Sequence, residues 1–252
     1  MTSMNEKGIS FQDVSFQYTK TRKELQSINT TISKGAFCGI TGTNGSGKTT
    51  FTYLCNGLIP HAIDGTFSGN VYIDGENTRK KSLSFFSKKV GMVFQNPDFM
   101  IFNLTVREEI AFGMRNIGLT DIEKRTQRAL YDVSLEGFEE RDPHALSFGQ
   151  KQKLCLACVL AMDTEYIVLD EPTSMLDYKN SLLLFSILSR LHKKGKTIIV
   201  VEHDTDFLLK NATQLLVLDK GTLVMEGKPK TLFSKHKKLT ELGIKIPHIS
   251  NI

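Results

Sequence analysis

Short, nearly unbroken apolar runs alternate with polar turns along this chain, and that alternation predicts interleaved strands and helices. Ala36 to Thr41, Val90 to Phe94, Tyr166 to Leu169 and Ile198 to Val201 are runs of this kind, rich in β-branched residues. Such runs fit parallel strands covered on both faces. Ser10 to Phe16, Val71 to Ile73, Gln214 to Leu218 and Thr222 to Met225 carry further strand character, with turns at Asp74-Gly75 and Lys220-Gly221 beside them. A helix is predicted from Lys48 to Asn56, directly after a glycine-rich turn.

Between Asn96 and Asp163 the strand signal disappears. Thr105 and Glu108 have capping-box spacing, and Ile110, Met114 and Ile117 follow at helical intervals. A charged helix is predicted from Asp121 to Asp132, and Pro143 breaks the chain after it. Ser147 and Gln150 form a second capping-box pattern, opening a helix apolar on almost every face as far as Met162. A helix of that kind belongs in an interior. The expected organisation is one domain over residues 1–252. Residues 1–95 and 164–226 form its α/β core, 96–163 an inserted helical subdomain, and 227–252 a short C-terminal segment.

The 252 residues suffice for one substantial core or a core with a small subdomain. Hydrophobic residues at 40% and charged residues at 23% exclude a disordered chain. A net charge of +5 permits an anionic ligand or a membrane surface without demanding nucleic acid. Leu154 to Met162, the longest apolar run, reaches about half of the ~20 residues that span a bilayer. Residues 1–10 lack the apolar segment of a secretion signal, so a cytoplasmic chain is expected, reaching a membrane only through partners. Cys155 and Cys158 form a Cys-x-x-Cys pair, but inside an apolar helix and without a second Cys/His pair nearby; buried packing thiols are the expectation.

The chemistry concentrates at a few turns. Gly42-Thr43-Asn44-Gly45-Ser46-Gly47-Lys48-Thr49 matches the phosphate-loop pattern, after a predicted strand and before a predicted helix. Its glycines let successive N–H groups face phosphate oxygens, and the helix N-terminus adds partial positive charge. Lys48 is the candidate for the β- and γ-phosphates of ATP, and Thr49 for Mg²⁺. Thr50, next in the helix, belongs to the same candidate site. The fold class expected is therefore α/β: a P-loop NTPase parallel-sheet core with an antiparallel β subdomain and an inserted helical subdomain.

Asp170 and Glu171 close a predicted strand with two carboxylates. Asp170 suits the Mg²⁺ ion, and Glu171 suits the role of accepting a proton from, or orienting, the attacking water. Gln95 and His203 follow two other predicted strands. Ligands in parallel sheets bind beyond the carboxyl ends of the strands, so these segments converge on one crevice. Gln95 is a candidate both for catalysis and for the metal, and His203 for catalysis.

Leu146-Ser147-Phe148-Gly149-Gln150 resembles the signature motif of ATP-binding-cassette proteins. Ser174 to Asp177 is similar to that family's D-loop, Glu202-His203-Asp204 to its H-loop, and Tyr18 to its adenine-stacking aromatic. The resemblance spans nearly the whole chain in the right order. It implies an ATPase that pairs head-to-tail with a second such subunit, identical or paralogous. Ser147, Gly149 and Gln150 would then face the nucleotide held by the partner, with Asp177 beside it. Ser147 also suits a plain helix cap, and the two roles are compatible. Phe148 replaces the commonest Gly of the signature. Glu202 stands where Thr is frequent, a departure expected to matter little.

Phe94 to Asp98, Ile101-Phe102, Thr105-Val106, Ala111 to Gly113 and Leu242 to Pro247 resemble the energy-coupling-factor importers of vitamins and of cobalt or nickel. Met100 departs from the Gln often found there. This resemblance implies a transmembrane scaffold subunit, a separate substrate-binding membrane subunit and a peripheral site on the cytoplasmic membrane face. Asp98, Glu108 and Glu109 are candidates to meet basic residues of the scaffold or, alternatively, solvated acids near a helix start. The other reading is a soluble cassette ATPase acting on ribosomes or nucleic acid. One phosphate loop, no sustained heptads and no zinc-finger spacing speak against it.

Overall fold

A computed structural model describes residues 7–19 and 23–248; the chain ends included in the expected domain bounds lie outside the described residues. The first part of the chain runs β1 (Gly8–Gln17), β2 (Leu25–Ser33), β3 (Phe37–Gly42), α1 (Lys48–Cys55), α2 (Leu58–His61), β4 (Thr66–Ile73), β5 (Glu76–Asn77), α3 (Leu83–Ser87) and β6 (Val90–Val93). Helices α4 (Val106–Asn116), α5 (Ile122–Val133) and α6 (Phe148–Ala161) follow. Strands then return with β7 (Tyr166–Asp170), α7 (Tyr178–Lys193), β8 (Thr197–Val201), α8 (Thr205–Asn211), β9 (Gln214–Asp219) and β10 (Thr222–Gly227), before the short helices α9 (Pro229–Phe233) and α10 (His236–Glu241).

A six-stranded sheet in the order β10-β9-β3-β8-β7-β6 forms the centre. Pairing is parallel from β9 to β6, and β10 closes the far side antiparallel. The second sheet, β2-β1-β4-β5, is antiparallel throughout. The fold is thus the expected α/β combination of a parallel core with an antiparallel sheet. Every residue of β3, β6, β7 and β8 is buried, which is why the sequence writes them as continuous apolar runs.

The pleat sorts their side chains between two cores. Phe37, Ile167, Leu169, Ile198 and Val200 face the helical side, where α4, α6 and α7 supply Ile110, Leu156 and Leu188. Cys38, Ile40, Val168, Ile199 and Val201 face the antiparallel sheet and α1, against Phe11, Ile28, Phe51 and Leu54. The central sheet is therefore a rigid layer between two apolar slabs, and its strand ends are fixed points.

Several elements escaped the sequence pattern, β2 and α7 the longest among them. In β2 the buried residues Leu25 and Ile28 are three apart, because Ser27 takes a positive φ of 46° and shifts the register against β1. That bulge interrupts the alternation that would have marked the strand. Helix α7 buries Ser181, Leu184, Phe185, Leu188 and Leu191, an ordinary amphipathic face in the stretch after β7.

Close backbone approach fixes β6 to α6. A Cβ added to Gly91 would stand 2.3 Å from Val159 Cγ1 and 3.0 Å from Thr164 Oγ1. Gly91→Ala is expected to overpack this contact and cost about 1–3 kcal/mol in urea unfolding. Unchanged stability would contradict the packing of α6 on β6.

Candidate functional site

Parallel pairing sends β3, β6, β7 and β8 out of the sheet at one edge, and the candidate residues stand there. The loop after β3 turns through residues that must be glycine. Gly47 has φ 95°, and an added Cβ would lie 2.5 Å from the Glu24 carbonyl oxygen. Gly42 is as constrained, with the Leu218 carbonyl 2.1 Å from the same position. Gly47 is also the N-cap of α1 and offers no side-chain acceptor to the first N–H groups of the helix. Those donors are left for an anion.

Lys48 is buried, and its ammonium donates to the carbonyls of Gly42 at 3.1 Å and Thr43 at 3.0 Å. Glu171 Oε1 is 4.0 Å away. Burial pulls the Lys48 pKa down, while Glu171 and Asp170 oppose that pull. The lysine is thereby folded into the loop it serves.

Asp170 ends β7 with 3% exposure, and burial pushes its pKa up to about 6 despite a hydrogen bond from Thr49. Its Oδ1 is buried without a hydrogen-bond partner, as is Ser46 Oγ. Orphaned polar atoms of this kind are costly in an interior. A divalent cation beside Asp170 and Thr49 would relieve that cost, so these residues fit Mg²⁺. Among the described residues no cluster of three His, Cys, Asp or Glu side chains could hold a metal.

Glu171 adopts a positive φ of 44°, unusual for a residue with a side chain. Such a conformation costs roughly 1–3 kcal/mol and persists only where neighbours hold it. Here its N–H donates to the Val201 carbonyl at 3.1 Å. Its carboxylate receives Gln95 Nε2 at 3.0 Å on one oxygen and bonds His203 Nε2 at 2.9 Å on the other. The His203 bond, foremost, holds the Glu171 pKa below the usual carboxylate range against the opposing effect of burial. Three strands thus deliver Gln95, Glu171 and His203 into one hydrogen-bonded chain next to Lys48. Asn44, Gly45, Gly47, Lys48, Thr49, Thr50, Gln95 and Glu171 line a cleft of about 350 Å³. Tyr18 stands over its rim at 42% exposure, its hydroxyl 3.1 Å from Thr50 Oγ1.

Ser147, Gly149 and Gln150 engage their own helix instead. Ser147 Oγ accepts the Gln150 N–H at 3.4 Å, and Gln150 Oε1 accepts the Ser147 N–H at 2.9 Å, completing the capping box. Gly149 packs beside Leu176 and Asn180, and Asp177 caps α7 by accepting the Asn180 N–H at 2.7 Å. Ser147 is exposed at the start of α6, open to a neighbour.

Some residues that hold this site gave little sequence signal. Gln152, buried on α6, donates from Nε2 to the Gln95 carbonyl at 3.1 Å. Lys151 pairs with Asp98 at 2.7 Å, and Cys155 Sγ lies 3.8 Å from the Pro97 carbonyl. One face of α6 therefore grips the segment after Gln95. Glu109 is not a surface acid: it is buried and accepts N–H groups of Phe102 at 3.0 Å and Asn103 at 2.8 Å. Its Oε2 takes these bonds and one from the Asn103 side-chain amide, closing a turn inside the chain.

The profile of the ABC transporter family matches residues 25–174. A protein of Pyrococcus horikoshii named as an ABC transporter ATP-binding protein is 49% identical over 95% of this chain and 86% of its own length. The energy-coupling factor transporter ATP-binding protein EcfA of Methanocaldococcus jannaschii is 39% identical over 97% of this chain and 87% of its own. Among solved structures, CbiO1 of Clostridium perfringens, part of an ABC transporter complex, superposes with a TM-score of 0.81 at 29% identity, covering 97% of both chains. The ATP-binding cassette MJ0796, a dimer bound to ADP and Pi after hydrolysis, gives 0.78 at 28% identity, covering 88% of this chain and 98% of that one. The chain belongs to the ABC transporter family as an ATP-binding subunit, and it is an ATPase.

The Cys-x-x-Cys pair needs no redox role. Burial pushes the Cys155 thiol up to about 12 and raises those of Cys38, Cys55 and Cys158 as well. A thiol reagent at pH 8 is expected to label none of the four cysteines rapidly in the native chain and all of them after denaturation. Fast native labelling of Cys155 or Cys158 would contradict their packing role.

Proposed function

We propose that this chain is the motor subunit of an energy-coupling-factor type importer of a vitamin or metal ion, acting at the cytoplasmic membrane face. The observation that carries the catalytic part is the Gln95–Glu171–His203 chain of hydrogen bonds beside Lys48. In this reading Tyr18 stacks on the adenine, and the loop from Gly42 to Thr49 wraps the phosphates with its N–H groups. Lys48 exchanges its two carbonyl partners for β- and γ-phosphate oxygens. Thr49, Asp170 and Gln95 would hold Mg²⁺, which would neutralise the charge that develops on the phosphates.

Glu171 accepts the proton of the attacking water, or orients it, with a carboxylate that His203 holds ionised until the nucleotide enters. The Gln95 amide and the His203 imidazole leave Glu171 for the γ-phosphate as the site fills. Ser147, Gly149 and Gln150 bind that phosphate from a second subunit, with Asp177 at the same junction. Either an identical chain or a paralogue serves there. The exposed N-terminus of a 14-residue helix is suited to the purpose.

The membrane part rests on the relatives named as energy-coupling factor subunits and on an apolar patch. Phe99 at 81% exposure, Leu104 at 82%, Phe102 and Phe112 surround the segment after Gln95. Phe102 and Phe112 meet edge to face at 4.6 Å, so the patch is shaped and not a loose fringe. We assign it to helices of the transmembrane scaffold, with Asp98 and Glu108 at its border. Residues 96–163 then act as the unit that carries scaffold movement to the signature helix. No helix among the described residues is long and apolar enough to cross a membrane, so attachment falls to this patch.

Two outcomes follow. Glu171→Gln is expected to retain ATP affinity while turnover, measured in the assembled complex, falls by about 10² or more. Turnover at the wild-type rate would remove Glu171 from its role. Phe99→Asp with Leu104→Asp is expected to leave folding and ATP binding intact but to abolish co-purification with membrane partners. Undiminished co-purification would refute the assignment of the patch.

A further inference from the structure

Glu202 stands at 4% exposure, between the end of β8 and the loop that carries His203. A carboxylate removed from water to this degree is costly unless donors surround it. Three do. Oε1 accepts the N–H of His203 at 2.8 Å and of Asp204 at 3.1 Å, and Oε2 accepts the Thr173 hydroxyl. Burial raises the Glu202 pKa, and these three donors pull it back. The Glu202 N–H itself donates to the Ile40 carbonyl at 3.0 Å, which anchors the residue to β3.

The pattern of contacts forms a closed ring. Thr173 lies two residues beyond Glu171 in the chain, and His203 follows Glu202 directly. Glu171 and His203 are joined at 2.9 Å on the opposite side. One buried carboxylate therefore pins both segments whose side chains form that bond. By holding the His203 and Asp204 amides together it fixes the peptide planes from which the imidazole projects. A threonine at this position has too short a side chain to reach all three donors.

We propose that Glu202 is a positioning residue for hydrolysis, acting through His203 and through the segment after Glu171; this rests on the roles given to those two residues above. Glu202 touches no substrate atom. It sets the distance between His203 and Glu171, and with it the point at which the imidazole meets the γ-phosphate. Small displacements of such groups are expensive in rate, with a misplacement of about 1 Å costing on the order of a hundredfold.

The test is steady-state ATP hydrolysis by the full chain in its assembled complex. Glu202→Thr is expected to lower kcat about tenfold or more while the KM for ATP stays within about twofold. Glu202→Gln keeps the acceptor for both amides and can pair with the Thr173 hydroxyl, so it should restore kcat to within about threefold of wild type. In a His203→Ala background, Glu202→Thr should add less than about twofold, because the two act as one unit.

An unchanged kcat in Glu202→Thr, a change confined to KM, or losses that multiply with those of His203→Ala would each overturn the proposal. Should Glu202→Thr fail to fold, Thr173→Val removes one donor and leaves the carboxylate in place. It is then expected to lower kcat with unchanged KM, and wild-type kcat would overturn the proposal. A normal rate in His203→Ala itself would overturn the role of His203 and this proposal with it. A loss in His203→Ala with none in Glu202→Thr overturns this proposal alone.

Discussion

Parallel pairing of β3, β8, β7 and β6 makes their carboxyl ends leave the sheet together, and the chemistry of the molecule follows from that constraint. Because each of these strands is buried along its length, none can slide without moving both cores. The glycine loop, Gln95, Asp170 with Glu171, and His203 are thus held in a common frame although far apart in sequence. Hydrogen bonds between Gln95, Glu171 and His203 then need only side-chain adjustment, because the backbone has already done the long-range work.

Charge is balanced in the same economical way. Lys48, Asp170 and Glu171 are three ionisable groups withdrawn from water within one small site, where unpaired charge would cost several kcal/mol each. Lys48 rests on loop carbonyls with Glu171 nearby, and Glu171 rests on Gln95 and His203. Asp170 keeps one oxygen without a partner. The residual imbalance lies where an anionic nucleotide and a cation would enter, which is the arrangement expected of a site prepared for its ligand.

Much of this could be read from the sequence, for identifiable reasons. The phosphate loop is legible because backbone geometry demands glycine at fixed spacing, as the close approaches at Gly42 and Gly47 illustrate. Fully buried parallel strands leave apolar runs, and Ser147 with Gln150 spells a capping box that the helix forms. Residues whose work depends on tertiary contacts were not legible. Glu109 reads as a surface acid and is an internal turn brace; Glu202 reads as a minor substitution and is buried among three donors. The bulge at Ser27 hid β2, since one residue out of step erases a period of two.

In the proposed reading, the signature helix marks the boundary between what one chain supplies and what pairing supplies. Ser147 and Gln150 satisfy each other and Asp177 caps its own helix, while the candidate catalytic groups gather around Lys48. The most direct measurement is a structure of the chain with a non-hydrolysable ATP analogue, Mg²⁺ and its pairing subunit. The γ-phosphate should lie within hydrogen-bond reach of Lys48, Gln95 and His203 from one subunit and of a signature serine from the other, with Ser147 facing the neighbour's nucleotide. A triphosphate bound away from Lys48, or a Ser147 facing solvent with both nucleotides in place, would contradict the shared site.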